Sequence, residues 1–483
     1  MAIETALIIL VLYVMFGKRT ARRFFKKKSA KGARSRAASE TAFAPSEIDE
    51  LVSEWQPEPL VAPVGDRGRR MIEAVPVIEK FAGTHVTVKG VAKPLLNLVS
   101  FDFLGLSQNQ SVKQATADAL HKYGCGSCGP RGFYGSIDVH IELENRIANF
   151  LGVPGAISYS DSASTVTSPL PAFAKKGDVL VLDAGCYEPL NVAARLSRAT
   201  VKRFKHNDMD DLERVLKQIS ADDVRLKRRA DAQRRFIVVE ALYRNSGDIC
   251  PLKRLVELKK KFRFRMMLDE SFSFGTLGPT GRGLTELAGV PIEDVDILTL
   301  SCAYALGSVG GVCVGGDEVV DHQRLCGAGY CYSASAPPFT SSASMAALAL
   351  LETTGATLIE RLGANVAALV AGLKADAPGL CVVSDEASPV VHVALRDQAA
   401  DASRAAQLDV LDAVAKAAAA DGVLVVTSKL LGDVDLANDD AGDVVGLGAD
   451  KPTLRLAVTA AHTEADMKRV GKVLGRAFAL AKK

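Results

Sequence analysis

Residues 6–16, ALIILVLYVMF, form an unbroken apolar run, and the chain turns strongly basic from Lys18. A helix that spans a bilayer takes about 20 apolar residues, with a lower limit of roughly 17. The run reaches that length only if residues 2–5, with Glu4, are counted, or if Lys18 and Arg19 stretch their charged ends to the interface. No small-residue cleavage site follows, so residues 1–28 are expected to be a retained membrane anchor with a basic flank. Positive charge after the run predicts that the C-terminal side stays cytosolic, and it suits an anionic leaflet. An in-plane helix and a targeting sequence are the alternatives.

Residues 29–45 are small, polar and basic and read as a linker. Ser46 with Asp49 predicts a capped short helix whose apolar stripe is Ile48, Leu51, Val52 and Trp55. Pro57, Pro59 and Pro63 end it in an extended arm, and Trp55, the only tryptophan, is expected to be a packing anchor. From about residue 95, short apolar runs alternate with helical spacing. Segments 179–183, 236–240, 265–269 and 296–300 read as buried strands, with helices such as 209–219 and 253–261 between them. That alternation predicts a mostly parallel sheet covered by helices. Ligands collect at the carboxyl ends of such strands, where Asp183, Glu240 and Asp269 fall.

The pattern changes after about residue 356. An Ala-rich helix at 358–376, a strand at 390–395, a second Ala-rich helix at 408–421, strands at 423–426 and 453–458, and a final helix capped by Thr463 with Asp466 predict a smaller α/β domain. The expected division is therefore anchor 1–28, linker and arm 29–94, large domain 95–355 and small domain 356–483.

The formal net charge of +3 hides an asymmetry, because residues 18–36 hold ten Lys/Arg and no acid, leaving 3 − 10 = −7 for the rest. A mildly acidic body argues against a nucleic-acid-binding face. Nine scattered cysteines in 483 residues suit reduced thiols better than a disulfide framework. Cys125 and Cys128 form a C-x-x-C without the second pair that zinc requires, so no metal site is expected and buried or site-lining thiols are the reading.

Several long motifs resemble the α-oxoamine synthase family of fold-type I pyridoxal phosphate (PLP) enzymes, in its serine palmitoyltransferase branch. They are EWQPEPLVAPV (54–64), FDFLGL (101–106), YGCGSCGPRGFYGSIDVHIELE (123–144), FKHNDMDDLERVLK (204–217), RRFIVVEALYRNSGDICPL (234–252) and DHQRLCGAGYCYSASAPP (321–338). The resemblance implies a fold-type I PLP-transferase-like large domain. It also implies that the Schiff-base lysine position is Tyr304 or, with a two-residue gap, Cys302; no lysine occurs between Lys261 and Lys374. The cofactor-stacking His falls on Tyr187, the substrate-side His on Phe272 and a small hydroxyl residue on Arg244, while the acid for the pyridinium nitrogen is kept as Asp269. A chain of this kind implies a catalytic partner, the lysine-bearing long-chain-base subunit of that enzyme, holding PLP covalently.

Family members are dimers with sites at the interface. The segment 332–335 (Tyr332, Ser333, Ser335) is expected to reach the partner's cofactor phosphate, and Cys128 and Arg131, in a turn with five glycines, to lie beside it, with Arg131 facing an anion. The implied complex condenses L-serine with palmitoyl-CoA to 3-ketosphinganine at the endoplasmic reticulum membrane, together with small activating and regulatory membrane subunits. An active enzyme with a displaced lysine, a scaffold or regulatory pseudoenzyme outside the complex, and a homodimeric sensor of PLP or acyl-CoA are the rival readings.

Overall fold

The computed structural model describes residues 43–57, 64–229, 233–396, 403–428 and 451–481. The expected anchor and most of the linker lie outside the described residues. The chain divides into one unit ending at Pro63 and a second running from Val64. In the first, the helix Pro45–Glu54 forms where its pattern predicts. Its cap differs: the Ala44 amide donates to the Glu47 carboxylate at 2.7 Å, in place of the expected Ser46–Asp49 pair. Proline at the first helical position pre-sets φ and shifts the start one residue upstream. Trp55 is not the packing anchor expected; it is 73% exposed, and the helix it follows buries no residue.

The second unit is built on a seven-stranded sheet. The strands are β4 (Gly155–Tyr159), β5 (Val179–Asp183), β6 (Thr200–Phe204), β7 (Arg235–Glu240), β8 (Arg265–Asp269), β9 (Ile297–Ser301) and β10 (Gly311–Gly315), in the order β4-β10-β9-β8-β7-β5-β6. The five from β9 to β6 are parallel, and β10 runs antiparallel to both β9 and β4. Every residue of β5, β7 and β9 is buried. Helices on both faces explain why these strands read as continuous apolar runs instead of alternating ones. The register sets Glu240 beside Asp269, and Asp269 beside Thr299.

Two smaller sheets complete the unit. One joins β1 (Ile78–Ala82), β2 (His85–Val88) and β3 (Leu95–Asn97) to β13 (Val423–Leu424). The other has the order β11-β12-β15-β14, from Leu380–Val382, Val390–Leu395, Thr453–Ala457 and Val426–Ser428. The strand expected at 423–426 is thus split at Val425 between two sheets. It ties residues on both sides of the expected 94/95 and 355/356 boundaries.

The second of those boundaries falls inside one helix, Pro338–Asp376, which begins 20 residues before the expected 358. Thr353-Thr354-Gly355 looks like a break in sequence. In the structure the Thr353 and Thr354 hydroxyls donate to the carbonyls of Ala349 (2.8 Å) and Leu350 (2.7 Å), so the helix absorbs them. Among the described residues this is the one helix long and apolar enough to cross a membrane, by length and composition only. Its buried side packs on the helices Glu464–Ala481 and Gln110–Tyr123. The cap of the last helix is the expected one: the Thr463 amide donates to Asp466 at 3.0 Å and the Asp466 amide to the Thr463 hydroxyl at 3.1 Å.

A histidine clamp fixes the loops at the carboxyl end of the sheet. His206, after β6, bonds Asp183 at the end of β5 (Nδ1, 2.8 Å) and Asp248 in the turn after β7 (Nε2, 3.0 Å). Burial alone lowers its pKa, but the bonds and charges of Asp183 and Asp248 outweigh burial and raise it to about 10.

Two outcomes are expected. His206 gains its proton affinity on folding, so the clamp's stabilisation is complete below the ordinary His value of 6.5 and is lost as pH rises through about 10. Unfolding midpoints of the wild type and of His206→Gln should therefore converge as the pH is raised across that window; a constant gap would show that the imidazolium is not the source. Separately, a Cβ on Gly471 would lie 2.5 Å from the Gly372 carbonyl carbon, where the two long helices touch through backbone. Gly471→Val should cost about 1–3 kcal/mol in denaturant unfolding, because the clash exceeds the few tenths gained in helix propensity.

Candidate functional site

At the carboxyl ends of β5, β7 and β8 the three expected acids come together, all fully or almost fully buried. Asp183 Oδ1 accepts from the Gly185 amide (2.6 Å) as well as from His206. Glu240 accepts from the amides of Tyr187 (2.8 Å) and Arg244 (3.0 Å). Asp269 Oδ1 accepts from the hydroxyls of Ser271 (2.7 Å) and Thr299 (2.8 Å), whereas Oδ2 is buried with no bond of good geometry. Burial pushes the Asp269 carboxyl up, against the hydroxyls of Ser271, Thr299 and neighbouring Tyr187, which pull it down. Burial, with the charges of Asp269 and Asp183, drives Glu240 well above the carboxylate range. Tyr187 is itself buried, beside Asp269.

Tyr304 lies in the turn after β9. Its ring stacks on Phe272 (centroids 4.3 Å apart, planes 24° apart), and Phe101 meets both rings edge-on at 5.5 and 5.0 Å. These aromatics bury one another, and offset or edge contacts add to the area they remove from water. Cys302 is buried nearby, its thiol pushed up to about 11 by burial, so neither candidate for the lysine position carries a nucleophilic amine or a ready thiolate.

Two residues of this region escaped the sequence reading. Arg455, on β15, sits over the Phe101 ring at 4.6 Å, and its Nε is buried without a partner. Burial first, then the charge of Arg244, lowers it to about 10. Arg244 turns its guanidinium to Glu188 at 3.3 Å. His206 is the other; its place in FKHNDMDD was visible, but the acids that clamp it lie on different strands.

A second cluster forms around the glycine-rich turn. The segment 332–335 packs on it: the Ser335 hydroxyl donates to the carbonyls of Gly129 (3.1 Å) and Gly135, and the Ser127 hydroxyl donates to the Ser335 carbonyl at 2.8 Å. Cys128 and Tyr134 hold φ of 59° and 65°, the left-handed region that costs a side-chain-bearing residue energy. Cys128, Phe133, Tyr134 and Tyr332 are all exposed, and Ser333 is half-buried with its hydroxyl donating to the Ala334 carbonyl at 3.4 Å.

Arg131 corrects an expectation. It does not face an anion outside the chain. Its guanidinium is buried and bonds Glu144 through two nitrogens (2.6 and 3.1 Å), with further bonds to Ser158 (2.7 Å) and Ser136 (3.0 Å). A planar fork matched to a carboxylate in a dry setting is a strong pairing, and here it anchors the turn to the helix Asp138–Leu151 and to β4. Ser335 is likewise committed, since its hydroxyl serves the turn's own carbonyls. The cysteines of the turn, Cys125 and Cys128, are free and exposed.

The sequence profile of the family described as Aminotransferase class I and II matches residues 93–474. Long chain base biosynthesis protein 1c of Oryza sativa subsp. japonica is 42% identical over 433 residues, covering 90% of this chain and 85% of the relative. Serine palmitoyltransferase 1 of Dictyostelium discoideum is 42% identical over 74% of each chain. Among solved structures, one of a serine palmitoyltransferase with its PLP internal aldimine superposes with a TM-score of 0.73 at 25% identity, over 90% of this chain and 98% of that one. A structure of the S. paucimobilis serine palmitoyltransferase with a bound PLP–myriocin aldimine matches equally, with TM-score 0.73, 25% identity and the same coverage. The buried acids, the lysine-less turn and the stapled glycine loop are thus set in a known frame: the chain belongs to the aminotransferase class I and II family and, within it, to the group named long chain base biosynthesis protein 1 or serine palmitoyltransferase 1.

Proposed function

We propose that this chain is the non-catalytic subunit of serine palmitoyltransferase, paired with the catalytic long-chain-base subunit 2 that holds PLP covalently. The observation that carries the reading is Tyr304. The stretch that would hold the lysine has none, and the ring in its place is stacked on Phe272. The other residues do not fit a covalently held PLP either. Asp269 keeps a buried oxygen without a well-formed bond, of the kind a pyridinium nitrogen would meet, but the hydroxyl of buried Tyr187 already neighbours that acid. No chemical step is assigned to this pocket.

In this reading the reaction takes place at the partner's cofactor, which acts as the electron sink. A bond forms between the serine α-carbon and the acyl carbonyl carbon of palmitoyl-CoA, CoA leaves as the thiol and the serine carboxyl leaves as CO2. This chain's part is positional. The turn around Cys128, made rigid by the Arg131–Glu144 pair and by Ser335, presents exposed Cys128 and Tyr332, with half-buried Ser333 beside them, to the partner. A rigid loop with its side chains held in strained conformations suits the completion of a neighbour's site. The apolar run at 6–16 supports a membrane anchor, and in this reading the complex sits on the endoplasmic reticulum membrane with its bulk in the cytosol, where small activating and regulatory membrane subunits join it.

The test is to solubilise membranes gently, pull down the tagged chain, reduce with borohydride and map pyridoxyl-lysine by mass spectrometry. The label is expected on a co-purifying chain of similar size; a label on this chain, or no partner at all, overturns the proposal. Tyr304→Lys, assembled in the same way, should leave the label on the partner only, because Tyr187, Phe272 and Arg244 still stand at the other positions that the resemblance gives to the cofactor and substrate.

A further inference from the structure

The turns at the amino ends of the strands, opposite the buried acids, place cations where the backbone favours glycine. The helices Glu188–Ser197, Met209–Leu226 and Leu252–Phe262 lead into β6, β7 and β8. Each ends in a cation held in the left-handed region: Arg198 at φ 58°, Lys227 at 50° and Arg263 at 57°. Glycine is the usual residue there, because a Cβ makes that conformation costly. The helices Asp138–Leu151 and Leu284–Ala288 do stop at left-handed glycines, Gly152 and Gly289. A cation at a helix C-terminus gains from the macrodipole. That role is already filled from unstrained helix by Arg195, Arg225 and Lys261 in the last turns of the same three helices. The strained cations call for another reason.

These turns are neighbours. β8, β7, β5 and β6 lie side by side, so the starts of β8 and β6 are about 15 Å apart at about 4.8 Å per strand. The turn before β5 adds Lys175 and Lys176, and Arg228 follows Lys227. All six cations are exposed, and none forms an ion pair among the described residues. The acids of this edge are committed elsewhere. Asp178 accepts from the amides of Lys175 (2.8 Å) and Arg234 (2.9 Å), Asp222 pairs with Arg225 (2.9 Å) and Asp223 with Arg235 (2.7 Å). The same helix ends expose Leu196, Val224 and Leu226, Val224 to 81%. Phe264 is buried and Phe262 half-buried, so the edge offers aliphatic surface and no exposed ring on which a nucleic-acid base would stack. Cations interleaved with exposed aliphatic side chains are the composition of a surface that meets anionic headgroups.

We infer that this edge of the large sheet docks on an anionic phospholipid leaflet, with Arg198, Lys227 and Arg263 at the phosphates and Leu196, Val224 and Leu226 entering the headgroup layer. The net charge outside residues 18–36 is negative, so such a leaflet repels most of the body. A local basic edge therefore decides which side of the folded unit faces the membrane. Each Lys or Arg near an anionic leaflet adds about fivefold to the partition, and the contribution fades within a Debye length. The inference concerns this unit's own surface and holds with or without a catalytic partner, so its failure is separate from failure of the proposed function.

The experiment uses the full chain, with whatever partner co-purifies, and an excess of nanodiscs made of phosphatidylcholine alone or with phosphatidylserine. The excess lets docking be read whether or not the run at 6–16 inserts. Hydrogen–deuterium exchange is followed in peptides covering 194–203, 222–229 and 260–266. Exchange there should be about threefold or more slower on phosphatidylserine discs than on phosphatidylcholine discs, and the difference should vanish near 1 M salt, where the Debye length is about 3 Å. The triple variant Arg198→Gly, Lys227→Gly, Arg263→Gly should lose the difference while its unfolding midpoint stays level or rises, since glycine takes the left-handed conformation without a Cβ. Equal exchange on the two lipids overturns the inference. So does equal protection on phosphatidylcholine, which would mean that a protein covers the edge, and so does equal protection by soluble glycerophosphoserine, which would mean a free-phosphate site. Protection by phosphatidylserine that survives in the triple variant overturns it as well.

Discussion

A carboxylate buried at the end of a parallel strand must find its hydrogen bonds in the loops around it, and this requirement organises the large sheet. Asp183, Glu240 and Asp269 stand at the ends of three adjacent strands, shielded from water. Each takes hydrogen bonds from the surrounding loops and strands: Asp183 from the Gly185 amide and the His206 imidazole, Glu240 from the amides of Tyr187 and Arg244, and Asp269 from the hydroxyls of Ser271 and Thr299. Losing those bonds would leave desolvated acids, which cost more than the net worth of the bonds themselves. The loops are therefore fixed independently of any ligand. The frame accordingly superposes on a serine palmitoyltransferase with its PLP internal aldimine at a TM-score of 0.73, although the turn after β9 in this chain carries Cys302 and Tyr304 and no lysine.

The frame was legible in the sequence because it depends on local pattern. Strands buried on both faces read as apolar runs, and the acid at the end of each marks where the run meets polar surroundings. Tyr304, Tyr187 and Asp269 were each placed by motif, and the structure brings the three near one another at the carboxyl end of the sheet. What the sequence hid was pairing between distant segments. Arg131 looks like a free cation in a glycine-rich turn, since its partner Glu144 sits a helix turn or more into the next element and Ser158 on a strand beyond. Arg455 and His206 escaped for the same reason, their neighbours being Phe101 and Asp183 on other elements. The helix start at Pro338 was hidden differently, because Thr353-Thr354-Gly355 has the composition of a break and only the back-bonded hydroxyls reveal continuity.

The Arg131 pairing changes how the glycine-rich turn is understood. A cation presented to a neighbour would act by its charge, and its loss would weaken an interaction between chains. A cation buried against Glu144 acts through shape, since breaking one side of such a pair strands a charge and costs about 3–5 kcal/mol. The turn needs that rigidity. Gly135 leaves no room for a side chain against the Gly129 carbonyl, and Cys128 and Tyr134 are held at positive φ on either side of Arg131. Without the internal staples of Arg131 and Ser335, these two residues would relax toward ordinary backbone angles and their side chains would point elsewhere. The polar residues of this turn that look most suited to binding an anion are thus the ones that hold it still. The exposed residues of this turn are those with little polar engagement of their own, Cys128, Phe133, Tyr134 and Tyr332, so the face offers shape and apolar surface more than charge.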